Sequence, residues 1–385
     1  MNILIFPNDP LMAYVKKGEL KDRYFNPNNI FKEVHFITFC DKECSVKEIQ
    51  RTIGEAKGTI HSLPSISILD MFFPKRRFSE IKKIAEQIDV DIIRSYNPIF
   101  QGFFAGFISK ILKVPFLISI HTNYDFDIRG QYKANKDIRY LKYLLSKYTV
   151  ERKTLKMASH VIGAYNFAGD YAKNSGVDSS KLSIIYNRVY LDKFKPNKNV
   201  KTSENIRVIC VGNLIEGKGQ RVLLSAMKNL PKNISMTFIG DGEDYDLLLK
   251  MANEFKLNER VTFIKSIPNE ELAEVYRQHD IFAMPIKFGG VCIPALEATA
   301  SGLALVMPRL VSGSPEIVGK YAELVENSIE GFSFGIQKLA DDSIHRKNLI
   351  SKGLKVIRKY SGDIMEKKES DLYLKLVKKE WKFMM

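Results

Sequence analysis

The stretch KFGGVCIPALEATASG, Lys287 to Gly302, decides how the chain is read. Adjacent glycines at 289 and 290 cost backbone entropy and add no side-chain packing, so they point to something that must come close to the backbone itself. Pro294 follows where a helix is expected to open, a place where its missing N–H is no loss. Amides at such a start lack intrahelical acceptors, and the helix dipole adds partial positive charge there. Glycines ahead of that terminus admit an anion, and a phosphate is the expected one. Glu297 is expected on the first turn of the same helix.

Two further strand ends share this character. VICVGNLIEGKGQRVLLSAM, 208–227, reads as a buried strand ending at Gly212, a loop carrying Lys218 and Gly219, and then a helix. A lysine there offers a compact positive charge suited to a diphosphate. MTFIGDGEDYDLLL, 236–249, ends its strand at Gly240 and Gly242 before another helix. Three glycine-marked strand ends in one half of the chain favour a shared anion or nucleotide site over three unrelated turns.

Around these stretches, short apolar runs alternate with helical patterns: NILIF, EVHFITF, DIIRSY, PFLISI and HVIGAY, then RVICVG, SMTFIG, RVTFIK, DIFAMP and LALVMP. Runs apolar on both faces and set 15 to 30 residues apart in the chain predict parallel strands covered by helices, hence an α/β fold of doubly wound sheets. The series occurs twice, broken by the polar, Pro-bearing chain from Asn187 to Arg207. With 385 residues, the expectation is two Rossmann-like domains, 1–188 and 189–359, with a helical tail at 360–385 packing back on the first. Ligands in such folds bind outside the carboxyl ends of the strands, here in a central cleft.

Composition excludes several classes. The chain is 45% hydrophobic and 27% charged, as soluble globular proteins are. No apolar run reaches the ~18 residues of a membrane span, and MNILIFPNDP lacks the basic start of a signal peptide, so a cytoplasmic protein is expected. Cys40, Cys44, Cys210 and Cys292 suit a reducing compartment, and the C-x3-C pair has no partner histidines for zinc. Of the net charge of +15, residues 1–190 hold 29 Lys and Arg against 19 Asp and Glu, and 191–385 hold 30 against 25. No nucleic-acid module accompanies that charge, and no nucleic-acid partner is expected.

The order VGNL…GKG, FIGDG, VTFIKSIPNEELAEVYRQHDIFAMP, GGVCIPALEATASGLALV and SGSPEIV resembles the donor domain of the retaining GT-B glycosyltransferases, glycosyltransferase family four. DVDIIRSYNP, VPFLISIH, ERKTLKMASHVIGAY and IIYNRVYLDKFKP are similar to that family's acceptor domain and hinge, so the resemblance covers essentially the whole chain. It implies a hexosyltransferase that uses a UDP- or GDP-linked nucleotide-sugar, with no cofactor and no metal. Its acceptor would be a glycan or lipid-linked, in cell-surface polysaccharide or glycolipid synthesis. By the same resemblance Glu297 holds the ribose hydroxyls, Lys218 meets the diphosphate, and Gly290, Val291, Cys292 and Ile293 supply phosphate-binding amides. Asn213 stands beside the diphosphate, Lys265 and Ile267 border the base, and His121 faces the donor sugar, while Gly240, at its glycine-marked strand end, is counted among the donor-binding residues. Gly18, Arg94 and Asn123 fall on the acceptor side.

Two positions depart from the family. Gly289 stands where a sugar-contacting glutamate is usual, and Asn213 where an arginine is common. The first leaves the sugar's identity open and admits a catalytically silent relative that binds nucleotide; among enzymes, the alternative is a sugar-nucleotide epimerase or hydrolase on the same fold. Lys287, beside it, is expected to be solvated, with contact to a donor carboxylate as the alternative.

Two D-x-D strings, at 89–91 and 125–127, are weighed as metal sites, and a lone carboxylate pair is poor for a divalent ion. In Arg129–Lys156 basic residues interleave with Ile138, Leu141, Leu145 and Tyr148 on one helical stripe, expected to face the core beneath a solvated basic surface. The alternative for this segment, and for FFPKRRFSEIKKIA, is contact with an anionic membrane at its inner face.

Overall fold

The computed structural model describes residues 1–16, 18, 20–65, 75–134, 136–196, 205–287, 290–310 and 315–384. It forms two compact units, Met1–Tyr186 together with Met365–Met385, and Asn187–Ile364.

The first unit is built on a parallel sheet of seven described strands: β1 (Asn2–Phe6), β2 (Glu33–Phe39), β3 (Lys57–Leu63), β4 (Ile92–Ser95), β5 (Phe116–Ile120), β6 (His160–Gly163) and β7 (Leu182–Ile184). Their order is β3-β2-β1-β4-β5-β6-β7, so the winding reverses between β1 and β4. The central strand β1 is buried from Ile3 to Phe6, which explains its unbroken apolar run. Edge strands β3 and β7 are half-exposed and correspondingly more polar.

The second unit repeats the plan with six described strands, β8 (Ile206–Val211), β9 (Ile234–Ile239), β10 (Val261–Ile264), β11 (Ile281–Ala283), β12 (Ala304–Pro308) and β13 (Glu323–Val325). All pair in parallel in the order β10-β9-β8-β11-β12-β13, and the reversal lies between β8 and β11. Both sheets are Rossmann-like, the two-domain α/β fold expected from the alternating runs.

The C-terminal helix Gly362–Met384 belongs, from Met365 onward, to the first unit. Tyr373, Leu376 and Val377 enter the core with Phe31, Phe36 and Ile92, and Tyr373 meets Phe31 edge-to-face at 5.0 Å. Beside this apolar contact lies a buried ion pair. The Arg94 guanidinium on β4, 4% exposed, donates to Glu369, to the Tyr373 hydroxyl at 2.5 Å and to Ser119 Oγ at 2.8 Å. Its carbon also sits 4.3 Å from the Tyr96 ring centroid. Glu366, one turn earlier, accepts from Arg23 Nε and the Asn28 amide, each at 2.8 Å.

Two predictions follow from this core. Glu369→Ala leaves a buried guanidinium without its carboxylate and is expected to cost about 3–5 kcal/mol, whereas an Arg94→Met, Glu369→Leu pair recovers most of that. Urea denaturation followed by circular dichroism checks this, and a single-variant loss below about 1 kcal/mol contradicts it. Burial also depresses four of the six imidazoles, with His121 and His160 held down to about 4 and His61 and His279 lowered. Above the ordinary value of 6.5 their contribution is fully present. As pH falls toward 4 the unfolded chain takes up protons the folded chain refuses, so stability declines. Thermal midpoints between pH 7.5 and 5 should fall, and fall less in His121→Asn; equal slopes for the two proteins contradict the reading.

Candidate functional site

In the second unit the loops after β8, β9 and β11 converge at the point where the winding reverses, the place where open α/β sheets bind ligands. Gly240, just past β9, has φ of +145°, and a Cβ there would stand 2.1 Å from the Gly212 carbonyl oxygen. Only glycine lets the two strand ends touch. The contact is closed by hydrogen bonds from Leu214 N–H to the Asp241 carbonyl and from Asp244 N–H to the Leu214 carbonyl, both 2.9 Å.

Lys218 ends a short 3-10 turn, Glu216–Lys218. Gly219 then takes φ of +73°, with a would-be Cβ 2.3 Å from the Pro285 carbonyl oxygen, so the lysine loop is pressed onto the segment leaving β11. The Lys287 amide donates to the Gly217 carbonyl at 3.2 Å and completes this junction. Lys218 is half-buried and, among the described residues, has no carboxylate within 4.0 Å. Its charge reaches the Cys292 and Cys210 thiols: burial raises both pKa values, and Lys218 pulls against that rise. Both sulfurs therefore stay protonated and are no nucleophiles.

The helix of the opening stretch runs from Ile293 to Ala300 with Cys292 as its N-cap and Pro294 in its first turn. The amides of Ala295 and Leu296 donate back to the Cys292 carbonyl at 3.1 and 3.2 Å. Among the described residues, no acceptor is found for the amides of Gly290, Val291, Cys292 and Ile293. Gly290 is buried with φ of +117°, while Gly289 and part of SGSPEIV lie outside the described residues. Glu297 is the fifth helical residue, one turn deeper than the first-turn placement expected. It is 8% exposed, and the buried Tyr276 hydroxyl donates to its Oε2 at 3.5 Å.

At the mouth of β10, Lys265 is exposed and its ammonium sits 4.4 Å from the Tyr245 ring centroid, with Ile267 half-buried two residues on. Asn213 is exposed, and its carbonyl accepts from Gln220 Nε2 at 2.9 Å. Tyr245 and Tyr276 went unnoticed in the sequence, where helical periodicity alone marks them. Lys287 is exposed at the surface, as expected of a solvated lysine, and its ammonium also pairs with exposed Glu216 at 3.0 Å.

In the first unit, His121 follows β5. Its ring stacks on Tyr96 at 5.7 Å, and its Nε2 is buried without a hydrogen-bond partner. Burial is the main reason its pKa falls to about 4, so the ring is neutral near pH 7. Arg94, expected on the acceptor side, spends its guanidinium on Glu369, Tyr373 and Ser119 within the core. Asn123 is likewise committed: its Nδ2 donates to the Phe167 carbonyl at 2.9 Å and its Oδ1 accepts from the Phe126 amide. Gly18 is exposed after the helix Leu11–Lys16, with φ of +65°. Of the D-x-D residues, Asp125 pairs with Arg129 and Lys147, Asp127 accepts from Thr122 and the Asn123 amide, and Asp91 accepts from the Asn2 amide.

Comparison with known proteins places this geometry. Residues 192–356 match the model of the glycosyl transferases group 1, and residues 32–193 that of glycosyltransferase family 4. An uncharacterized glycosyltransferase of Methanocaldococcus jannaschii is 25% identical over 68% of this chain and 69% of its own. A GDP-mannose-dependent alpha-(1-6)-phosphatidylinositol monomannoside mannosyltransferase of Mycolicibacterium smegmatis is 29% identical over 39% of this chain and 44% of its own. Among solved structures, Anabaena HepE in complex with UDP shares the fold at a TM-score of 0.72 and 14% identity, over 98% of this chain and all of that one. With both halves matched in sequence and both sheets matched in fold, the chain belongs to glycosyltransferase family four and has the GT-B fold.

Proposed function

We propose that the chain transfers a hexosyl group from a UDP- or GDP-linked sugar to a glycan or lipid-linked acceptor, with retention at the anomeric carbon and without a metal ion. The observation that carries this reading is the convergence, at the reversal point of the second sheet, of one ammonium, Lys218, with the open amides of Gly290 to Ile293. Those groups suit a diphosphate, and Glu297 in the same helix suits a ribose diol. The solved relative binds UDP and the mycobacterial one is GDP-mannose-dependent, which supports a nucleotide-sugar donor. The latter's phosphatidylinositol monomannoside supports a lipid-linked acceptor, and the setting we propose is cell-surface glycan or glycolipid synthesis at the cytoplasmic face of a membrane. No helix among the described residues is long and apolar enough to cross one.

In the reaction, the bond between the anomeric carbon and the diphosphate oxygen breaks while an acceptor oxygen bonds to the same face of that carbon. Negative charge grows on the departing diphosphate, where Lys218 and the helix-start amides are already aimed, so they favour the transition state over the ground state. The acceptor's proton passes to the departing phosphate oxygen. His121, neutral near pH 7, serves as a hydrogen-bonding group toward the sugar and not as a cation. The cationic work normally shared with an arginine at position 213 falls to Lys218 and the helix terminus, since Asn213 is uncharged.

A thermal-shift panel of UDP, GDP, ADP, CMP and dTDP tests the donor half. One nucleotide, at about 100 times its Kd, is expected to add ~2.7 kcal/mol and raise the midpoint by roughly 5–10 °C. Lys218→Met should weaken that nucleotide by about 10- to 100-fold, the worth of a charge-assisted contact. Equal affinity in Lys218→Met contradicts the assigned role. A nucleotide-sugar screen read by mass spectrometry, with and without EDTA, tests transfer itself: a glycosylated acceptor is expected in both, and free sugar alone contradicts it.

A further inference from the structure

The stripe Ile138, Leu141, Leu145 and Tyr148, expected to face the core, points outward instead. These residues are 82%, 62%, 66% and 61% exposed, a row of large apolar side chains at i, i+3, i+7 and i+10. The segment is helical from Arg139 to Met157, with a π turn at Lys147–Glu151 between two α-helical stretches. It is firmly held from beneath. Glu151, fully buried, accepts from Arg129 at 2.9 Å and from the Tyr171 hydroxyl, and Thr154 and Leu155 are buried beside it. The helix Arg139–Ser146, which carries Leu141 and Leu145, buries none of its own residues and is held by Arg129 donating to the Tyr143 carbonyl at 3.1 Å and, just beyond it, by Lys147 pairing with Asp125 at 2.7 Å. An exposed apolar row of this size marks a contact surface.

Its flanks identify the partner. Lys133, Lys136, Arg139, Lys142, Arg152, Lys153 and Lys156 are all exposed. Of the two acidic residues within 133–156, Glu151 is buried and Asp137 is bound to Arg139. Cations framing an exposed apolar row complement an anionic bilayer, where acyl chains take the row and headgroups take the charges. Leu145 also lines a cavity of about 570 Å³ that it shares with Asn8, Asn97, Gln101, Thr122 and Lys142. Asn8, Asn97 and Thr122 follow β1, β4 and β5, so the cavity lies at the reversal point of the first sheet.

We infer that this segment seats the first unit on an anionic membrane, with Ile138, Leu141, Leu145 and Tyr148 inserted below the headgroups. The cavity, whose lining joins Asn8, Asn97 and Thr122 to apolar Ile99, Phe100, Ile128 and Val150, then opens beside the bilayer surface, where an amphiphile can enter it without leaving the membrane. The inference builds on the lipid-linked acceptor proposed above, and it places a specific row of side chains at that interface.

Co-sedimentation of the full chain with vesicles of phosphatidylcholine, or of phosphatidylcholine containing phosphatidylglycerol, tests it. Binding to the anionic vesicles is expected to exceed binding to neutral ones by tenfold or more, and to weaken with added salt. Leu141→Glu with Leu145→Glu should remove at least tenfold of it, while the nucleotide thermal shift stays as in the unaltered chain. As a second readout, Leu145→Trp should show a blue-shifted emission on adding anionic vesicles. Equal binding by the double variant, or equal binding to neutral and anionic vesicles, overturns the inference. So does sedimentation showing that the row joins two copies, with the double variant turning a dimer into a monomer and vesicle binding absent from both. Lost nucleotide binding with intact vesicle binding would instead fault the transferase reading and leave this one standing.

Discussion

The contact between Gly240 and the Gly212 carbonyl is the constraint on which the second unit's chemistry depends. Adjacent parallel strands must end at nearly the same level and turn away without side chains between them, or the loops after β8 and β9 are pushed apart. With them together, the Leu214–Asp241 and Asp244–Leu214 hydrogen bonds close. The lysine loop can then lie against Pro285, and Lys218 comes within electrostatic reach of Cys292. A diphosphate has little of its own geometry to offer a protein beyond charge and acceptor oxygens. What recognises it is a fixed set of donors, and fixing donors means fixing backbone.

The first unit solves a different problem. Its sheet is completed by a helix that arrives from the far end of the chain, and that helix brings two carboxylates, Glu366 and Glu369, to meet Arg23 and Arg94. Buried ion pairs are weak sources of net stability but expensive to break, so they fix the register of the helix more than they strengthen it. The same cluster reaches His121 through Tyr96, whose ring contacts the Arg94 guanidinium at 4.3 Å and stacks with the imidazole at 5.7 Å. An imidazole held neutral with a buried Nε2 suits a site that reads hydroxyl groups.

How much of this was legible depended on whether the deciding force was local. Central strands such as β1, β5, β8 and β12 announce themselves because both faces are buried along most of their length and nearly every position is apolar. Edge strands β3, β7 and β13 carry no such signal: a half-exposed edge admits Lys57 and His61 in β3, and Glu323 in β13 is tolerated because Lys338 and His345 donate to it. The glycine-marked strand ends were readable because a steric requirement leaves one residue type. The partners of Arg94 were not, because Glu369 lies 275 residues away and nothing near β4 in sequence hints at it. Helical spacing grouped Ile138 with Leu141, Leu145 and Tyr148, but periodicity fixes only which residues share a face. It is silent on what covers that face, and the fold leaves this one open.

The central claim is that a nucleotide's diphosphate is gripped by the open amides at the start of the Ile293–Ala300 helix together with Lys218. A crystal structure of the chain soaked with the nucleotide of highest affinity tests it most directly. Phosphate oxygens within about 3.2 Å of Lys218 Nζ and of the Cys292 or Ile293 amide are predicted. Nucleotide bound elsewhere, or those amides capped by protein atoms in the complex, would contradict it.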